Sequence, residues 1–132
     1  MKQCFGLLFF LAGSFGLFAQ ADLTGPVSDA LAAGDAAKLG SYFAGSVDLS
    51  LPGVEDMVPA DQAKKYVDKF FVQHPPKAFT IKHRGTSKTN DHYRIGELQT
   101  AKGAFRVTFF MKKEGERMVV NQFRIEPDED DF

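Results

Sequence analysis

Residues 104–126 read AFRVTFFMKKEGERMVVNQFRIE, and this stretch decides the fold. Apolar and polar side chains alternate along both of its halves, which is the period of a strand with one buried face. The break at Glu114-Gly115 is short enough for an antiparallel hairpin. The stretch therefore predicts two long paired strands, at about 104–113 and 116–126.

The same alternation continues upstream of this hairpin. It predicts strands at about 78–87 and 92–101, connected through residues 88–91 and 102–103. Short connections of this kind join antiparallel neighbours. The second half of the chain is therefore predicted to be a four-stranded antiparallel meander.

These turns, taken literally, set a register and divide the side chains between two faces. Phe109 is then opposite Val120, and His83 is opposite Gly96. The predicted covered face carries Phe79, Ile81, His83, Leu98, Phe105, Val107, Phe109, Met111, Met118 and Val120, with Gln122 and Arg124 near its end. A slip of one residue would exchange the two faces, so the division depends on the hairpins.

The first half of the chain has helical spacing instead. Leu23, Val27, Ala30 and Leu31 predict a first helix with Thr24 as its cap, and Asp35 is predicted to cap a second, short helix with Leu39, Tyr42 and Phe43 on one face. Residues 47–51 alternate as a strand. A third helix is predicted from Pro59, with Ala63, Tyr66, Val67, Phe70 and Phe71 on its apolar face, and it ends before Pro75-Pro76. The fold class is thus α+β, with helices covering a four-to-five-stranded antiparallel sheet.

The first 21 residues are predicted to be a secretory signal peptide. Lys2 precedes an apolar run over 5–18, and Ala19 and Ala21 are the small residues at the two positions that a signal peptidase requires. The run is too short to span a membrane. Export to the periplasm or beyond the cell is expected, and the short presequence suits a bacterium. The only cysteine, Cys4, lies in this segment, so the mature chain has no disulfide.

Charge excludes nucleic-acid binding for the predicted mature protein. The chain carries 16 basic and 17 acidic residues, and Lys2 is the only charged residue of the signal peptide. The remainder has no concentrated basic face of the kind that nucleic acid requires. We predict one domain over 22–126, without a membrane span, and a solvated acidic tail over 127–132.

The order of two or three helices, an early strand, a further helix and a long antiparallel meander resembles the nuclear transport factor 2-like, cystatin-like α+β superfamily. Within it, five segments resemble a small exported bacterial family of unknown function. They are AGDAAKL at 33–39, HRGTS at 83–87, YRIG at 93–96, GAFRV at 103–107 and FRIE at 123–126. The resemblance implies a strongly curved sheet around a cone-shaped pocket. The superfamily includes ketosteroid isomerases, SnoaL-type polyketide cyclases, dehydratases and non-catalytic binding modules. The predicted covered face has no Asp or Glu before Glu126, which argues against the isomerase mechanism.

A ligand pocket is predicted around His83 and Gly96, where the missing side chain leaves room. The residues assigned to this pocket are His83, Gly96, Tyr42, Tyr66, Phe109, Gln122 and Arg124. Arg124 suits an acidic group on a ligand. Two plainer interpretations stay open: His83 is a core histidine bonded to a carbonyl or a tyrosine, and Arg124 pairs with Glu126 or with an acid on a helix. The histidines lack the spacing of a metal site, and no metal or cofactor is predicted.

The predicted open face of the sheet is polar except for one apolar row. Ile95, Phe110 and Val119 form the row, and Tyr93 and Phe123 flank it. A monomer rarely exposes such a patch, and a second copy could cover it by a two-fold contact. The alternative is that a terminal segment, for example Phe132, folds back over it. We therefore predict a homodimer.

Three functional hypotheses remain at this point. The first is a non-catalytic module that holds a small apolar ligand near His83, Gly96 and Tyr42. The second is an isomerase, cyclase or dehydratase with His83 as base and Tyr42 or Tyr66 as oxyanion donor. The third is a structural homodimer whose interior is completely filled. A cavity beside His83 favours the first two hypotheses, whereas an interior filled by Phe70, Phe71, Phe79 and Phe109 favours the third.

Overall fold

The structure is a computed structural model that describes residues 22–89 and 91–128. The predicted signal peptide, with Ala19 and Ala21, and the end of the acidic tail, with Phe132, lie outside the described residues. The helices are α1 (Thr24–Ala33), α2 (Ala36–Gly40) and α3 (Ala60–Gln73). The strands are β1 (Phe43–Leu51), β2 (Val54–Pro59), β3 (Pro76–Thr86), β4 (His92–Thr100), β5 (Gly103–Glu114) and β6 (Arg117–Pro127).

The first two helices begin differently. The prediction for α2 is confirmed, because the Asp35 side chain accepts a hydrogen bond from the Lys38 backbone N–H at 3.0 Å. Thr24, however, is not a cap but the first residue of α1. The Thr24 N–H donates instead to Asp22 Oδ1 at 2.9 Å, so a residue outside the helix satisfies this first donor.

The third helix follows the prediction. Pro59 is its N-cap, and the helix ends at Gln73, just before Pro75-Pro76. Ala63, Val67, Phe70 and Phe71 form its buried face. Tyr42 and Phe43, by contrast, do not continue α2, because Phe43 is the first residue of β1.

The six-stranded sheet has the order β2-β1-β6-β5-β4-β3. All neighbours are antiparallel except β1 and β6, which are parallel. The four meander strands are confirmed to within two residues at each end. The sheet has more strands than predicted because β2 was missed. Only Val58 of that edge strand is buried, so β2 lacks the alternation of a half-buried strand.

Two β-bulges, together with a β3–β4 turn that is one residue longer than predicted, separate the observed faces from the predicted ones. In β3, Ile81 pairs with Gly96 but His83 pairs with Ile95, so one extra residue lies between them. In β6, Val120 pairs with Met111 and Gln122 pairs with Phe110, which leaves Asn121 extra. Each bulge moves every later side chain of its strand to the opposite face.

All the helices pack on the same face of the sheet and bury a single core. α1 covers β3 and β4, and α3 covers β1 and β2. The largest fully buried side chains are Phe109, Phe123, Leu31, Leu39, Leu49, Leu98, Met111 and Ile125. We call this side the covered face and the opposite side the open face. The curled sheet with helices on one side confirms the predicted α+β class.

Candidate functional site

The predicted pocket around His83 does not form. The bulge in β3 carries His83 to the open face, where its side chain is exposed. The space beside Gly96 is occupied, because a Cβ there would lie 2.5 Å from Cζ of Phe79 and 2.6 Å from the Thr80 carbonyl oxygen. Gly96 therefore makes room for a core ring and not for a ligand.

Aromatic rings fill the interior between α3 and the sheet. Phe70, Phe71 and Phe109 are buried, and Phe79 packs against them at the margin of the core. Phe70 meets Phe105 edge to face, with 5.1 Å between ring centroids. This is the arrangement expected of a filled core.

The other residues assigned to that pocket are dispersed. Tyr42 and Tyr66 are half-buried at the edge of the core, and Phe109 is fully buried. Because of the bulge at Asn121, Gln122 and Arg124 lie on the open face, contrary to the prediction. Their neighbours across β1 are Asp48 and Ser50.

A cleft of about 300 Å³ opens at a different place, between the β1–β2 turn and the C-terminal half of α3. The turn is a two-residue connection, Pro52-Gly53, and the φ of 89° at Gly53 suits the third residue of a type II turn. The residues that line this turn–helix cleft are Leu51, Pro52, Gly53, Val54, Tyr66, Lys69, Phe70, Gln73 and His74. Tyr66 is the only member of the predicted pocket among them.

Local contacts orient the polar side chains of the cleft. His74 stacks on Phe70 with 4.4 Å between ring centroids, and its Nδ1 lies 3.1 Å from the Phe70 carbonyl oxygen. A carbonyl only accepts, so Nδ1 carries the proton and donates. Tyr66 Oη accepts a hydrogen bond from Gln62 Nε2 at 3.3 Å, which leaves its own hydrogen available. Lys69 supplies a positive charge in the same wall.

The cleft could not be predicted from the sequence because β2 was not predicted. The turn at Pro52-Gly53 and the helix end before Pro75 were both visible as chain reversals. Only the β1–β2 hairpin places the turn beside α3, and an edge strand with one buried side chain carries little signal in the sequence.

A second missed feature is the buried Arg94, which anchors the start of α1. Its Nη2 donates to Asp22 Oδ2 at 2.9 Å, and its Nε donates to Thr24 Oγ1 at 2.8 Å. Burial alone would raise the pKa of Asp22. The hydrogen bonds from Thr24 and the positive charge of Arg94 outweigh that effect and hold the pKa below its usual value.

The predicted dimer row is only partly on the open face. Tyr93, Ile95 and Phe110 lie there half-buried, and the rings of Tyr93 and Phe110 are 5.5 Å apart. Phe123 is instead fully buried on the covered face, so its assignment to this row was wrong. Val119 is already buried within the chain, with 1% of its surface exposed.

Residues 22–89 and 91–128 form neither a cluster of metal ligands nor a helix of membrane-spanning length. These residues contain no group of three or more histidine, cysteine or carboxylate side chains that could hold a metal ion. No helix among them is long and apolar enough to cross a membrane.

Solved structures support this description of the fold. A DUF4783 family protein from Bacteroides uniformis is 28% identical, with a TM-score of 0.75, over 83% of this chain and 100% of that chain. One from Bacteroides fragilis is 26% identical, with a TM-score of 0.74, over 80% of this chain and 99% of that chain. A hypothetical protein from Catenulispora acidiphila with a ketosteroid isomerase-like fold was solved in complex with trimethylamine. It is 11% identical, with a TM-score of 0.60, over 80% of this chain and 85% of that chain, a likeness that shows the fold alone.

These likenesses first define a fold class, the nuclear transport factor 2-like, cystatin-like α+β fold, which the sequence predicted. Within that class the chain belongs to the DUF4783 family, a domain of unknown function whose model matches residues 24–126. No curated protein matches the sequence.

Proposed function

We propose that this protein is an exported, non-catalytic module that binds a small organic ligand in the turn–helix cleft. One observation carries the proposal: the cleft joins apolar walls to a few convergent polar groups, which is the usual make-up of a small-molecule site. Leu51, Val54 and Phe70 supply the apolar surface, and Tyr66 and Lys69 are among the polar groups. Its volume of about 300 Å³ is at the lower end for such sites.

The chemistry of the cleft favours binding over catalysis. Among the nine described residues that line it, none is Ser, Thr, Cys, Asp or Glu. His74 lacks a carboxylate to orient it and donates Nδ1–H to a backbone carbonyl. Among the described residues, no hydrogen bond joins two side chains of the cleft lining as a nucleophile and its base. The trimethylamine complex of the C. acidiphila protein supports a small ligand in a protein of this fold.

The test uses two matched probes, neutral 2-naphthamide and anionic 2-naphthoate, added to the isotope-labelled protein. We expect backbone amide chemical shifts to move at residues 51, 53 and 54 and over 66–74. Val54→Trp should fill the cleft and abolish the binding of both probes. Val72→Trp is the control, because Val72 is on the same helix, 71% exposed and not part of the cleft wall.

Two outcomes would overturn ligand binding in the cleft. One is that neither probe shifts these amides. The other is that the shifts appear in the cleft but are identical in Val54→Trp, which would mean that the probes bind elsewhere and act indirectly.

Export is the second part of the proposal and rests on residues 1–21. Expression of the full chain in a bacterium should yield a mature protein that begins at Asp22, as read by N-terminal sequencing. Ala19→Arg together with Ala21→Arg should block processing, because signal peptidase requires small residues at these positions. Retention of residues 1–21 in the unaltered protein would contradict this part.

The third part is a homodimer formed through the open face. Three half-buried apolar side chains, Tyr93, Ile95 and Phe110, support it, together with Met57, which is 61% exposed at the β2 end of the same face. Such a patch on an otherwise polar face is typical of an interface.

A further inference from the structure

We infer that the ligand of the turn–helix cleft is a small monocarboxylate with an apolar body. The inference rests on the proposed function and adds the chemical class of the ligand. It comes from three features of the cleft: a cation that has no ion-pair partner among the described residues, hydrogen-bond donors that remain available, and an apolar surface beside them.

The cation is Lys69. Among the described residues its ammonium has no carboxylate within ion-pair distance. The neighbouring Asp68 does not neutralise it, because Asp68 lines a separate hollow with Lys64 and Lys65, on the α2 side of the helix. Lys69 thus brings an uncompensated positive charge to a cleft whose lining contains no acidic residue.

Two neutral side chains add hydrogen-bonding capacity on the same helix. The Tyr66 hydroxyl accepts from Gln62 and keeps its own hydrogen to donate. Gln73 lines the cleft with an amide whose nitrogen carries two donors. With Lys69, these groups favour a ligand that only accepts, and an ionised carboxylate is an acceptor of that kind.

The net charge of the cleft favours a ligand that carries a single negative charge. The cleft lies at the C-terminal half of α3, where the helix dipole contributes about half of an elementary negative charge. The full charge of Lys69 exceeds this, but only by about half a charge. A carboxylate suits that balance, whereas a phosphate with two charges would call for an Arg or a helix N-terminus.

The apolar wall of the cleft favours an apolar body for the part of the ligand beyond the carboxylate. Leu51 and Phe70 are buried core residues that reach the cleft, and half-buried Val54 lies opposite them across the turn. Carbon surface in this position favours a ring or a short aliphatic chain. The volume of about 300 Å³ accommodates an aromatic acid with two fused rings.

The experiment compares 2-naphthoate, 2-naphthamide and 2-naphthyl phosphate by calorimetric titration of the purified protein. We expect the carboxylate to bind about tenfold more tightly than the amide, as befits one charge-assisted contact. Lys69→Met should remove that preference, so that the acid and the amide bind with equal affinity. Lys65→Met is the matched control, one turn earlier on α3 and outside the cleft wall.

The possible results separate this inference from the proposed function. Equal binding of acid and amide, or tighter binding of the phosphate, would overturn the carboxylate assignment and leave a ligand-binding cleft in place. An acid preference that survives in Lys69→Met would overturn the role of Lys69. Absence of binding by all three probes would remove both the inference and the proposed function.

Discussion

Arg94 and Asp22 are the residues whose roles are least expected from their types. Arg94 is 7% exposed on the covered face, where the other residues are mostly apolar. It is stable there because Asp22, Thr24 and the Tyr93 carbonyl oxygen accept from all three of its guanidinium nitrogens. A buried ion pair adds little stability compared with an apolar pair, but losing one partner is costly. We therefore interpret the pair as fixing where α1 begins on the sheet.

The Asp22–Arg94 pair predicts a specific dependence of stability on pH. The folded-state pKa of Asp22 is lowered, so its stabilising effect is complete above the unfolded-state pKa of about 3.9. The effect is lost as the pH falls through the lower, folded-state value. Asp22→Asn should reduce the free energy of unfolding near neutral pH by about 1 kcal/mol, a modest value because the Asp22 side chain is 40% exposed.

Urea unfolding of both proteins from neutral pH to about pH 3 measures this difference. The difference should begin to narrow below about pH 4, because the unfolded chain then binds a proton at residue 22 more readily than the folded protein does. Asp29→Asn, at an exposed position of the same helix, is the control. If the difference in the free energy of unfolding between wild type and Asp22→Asn is constant with pH, the charge of Asp22 is not its cause.

Arg94 could have been located from the sequence. The alternation that placed Leu98 on the covered face also places Arg94 there, and a charge on that face requires a partner. The sequence does not show that the partner comes from Asp22, because that contact depends on how α1 crosses β4.

At the scale of elements, the four meander strands were predictable, but the faces of β3 and β6 were not. The apolar and polar alternation of β5 located that strand to within a residue. A bulge adds one residue without altering the composition, so the hairpin register fails beyond it. In β6 a signal was nevertheless present: the apolar positions change from 118 and 120 to 123 and 125, as a bulge at Asn121 requires.

The β6 bulge predicts a large loss of stability for one substitution and a small change for a substitution at the next residue. Phe123→Ala should lower the free energy of unfolding by about 3–5 kcal/mol, because the ring is fully buried against Phe109. Arg124→Ala, on the open face, should change it by less than about 0.5 kcal/mol. Chemical denaturation measures both values. The unbulged register requires the reverse order, with Arg124 inside and Phe123 outside.

Phe123→Leu is a milder second variant, which can be measured if Phe123→Ala does not fold. A smaller apolar side chain keeps most of the burial, so its cost should fall between those of the two alanine variants. A cost as small as that of Arg124→Ala would place Phe123 outside the core.

At the scale of the whole molecule, charge supports a two-fold arrangement of the proposed dimer. Asp48 and Glu55 lie at the β2–β1 end of the open face, and Lys82 and Arg84 are exposed along the β3 edge. A two-fold axis near Phe110 would bring the acidic end of one copy over the basic end of the other.

Light scattering during size-exclusion chromatography tests the dimer. The wild-type protein should elute with twice the mass of one chain, and Phe110→Lys should elute with the mass of one chain, because it places two charges at the centre of the interface. Val72→Lys, at an exposed position of α3, should remain dimeric. A wild-type protein that is monomeric at high concentration would refute the homodimer.

The turn–helix cleft is formed by the helix side of the sheet, and the apolar row lies on the other side. Contact between two copies through the apolar row therefore leaves the turn–helix cleft accessible to a ligand. Two copies joined through their open faces would carry two clefts that point away from each other, which makes the assembly bivalent. Carboxylates displayed repeatedly on a polymer or a surface would then be held with an avidity well above the affinity of one cleft. Free acids of the same structure would gain nothing from the pairing.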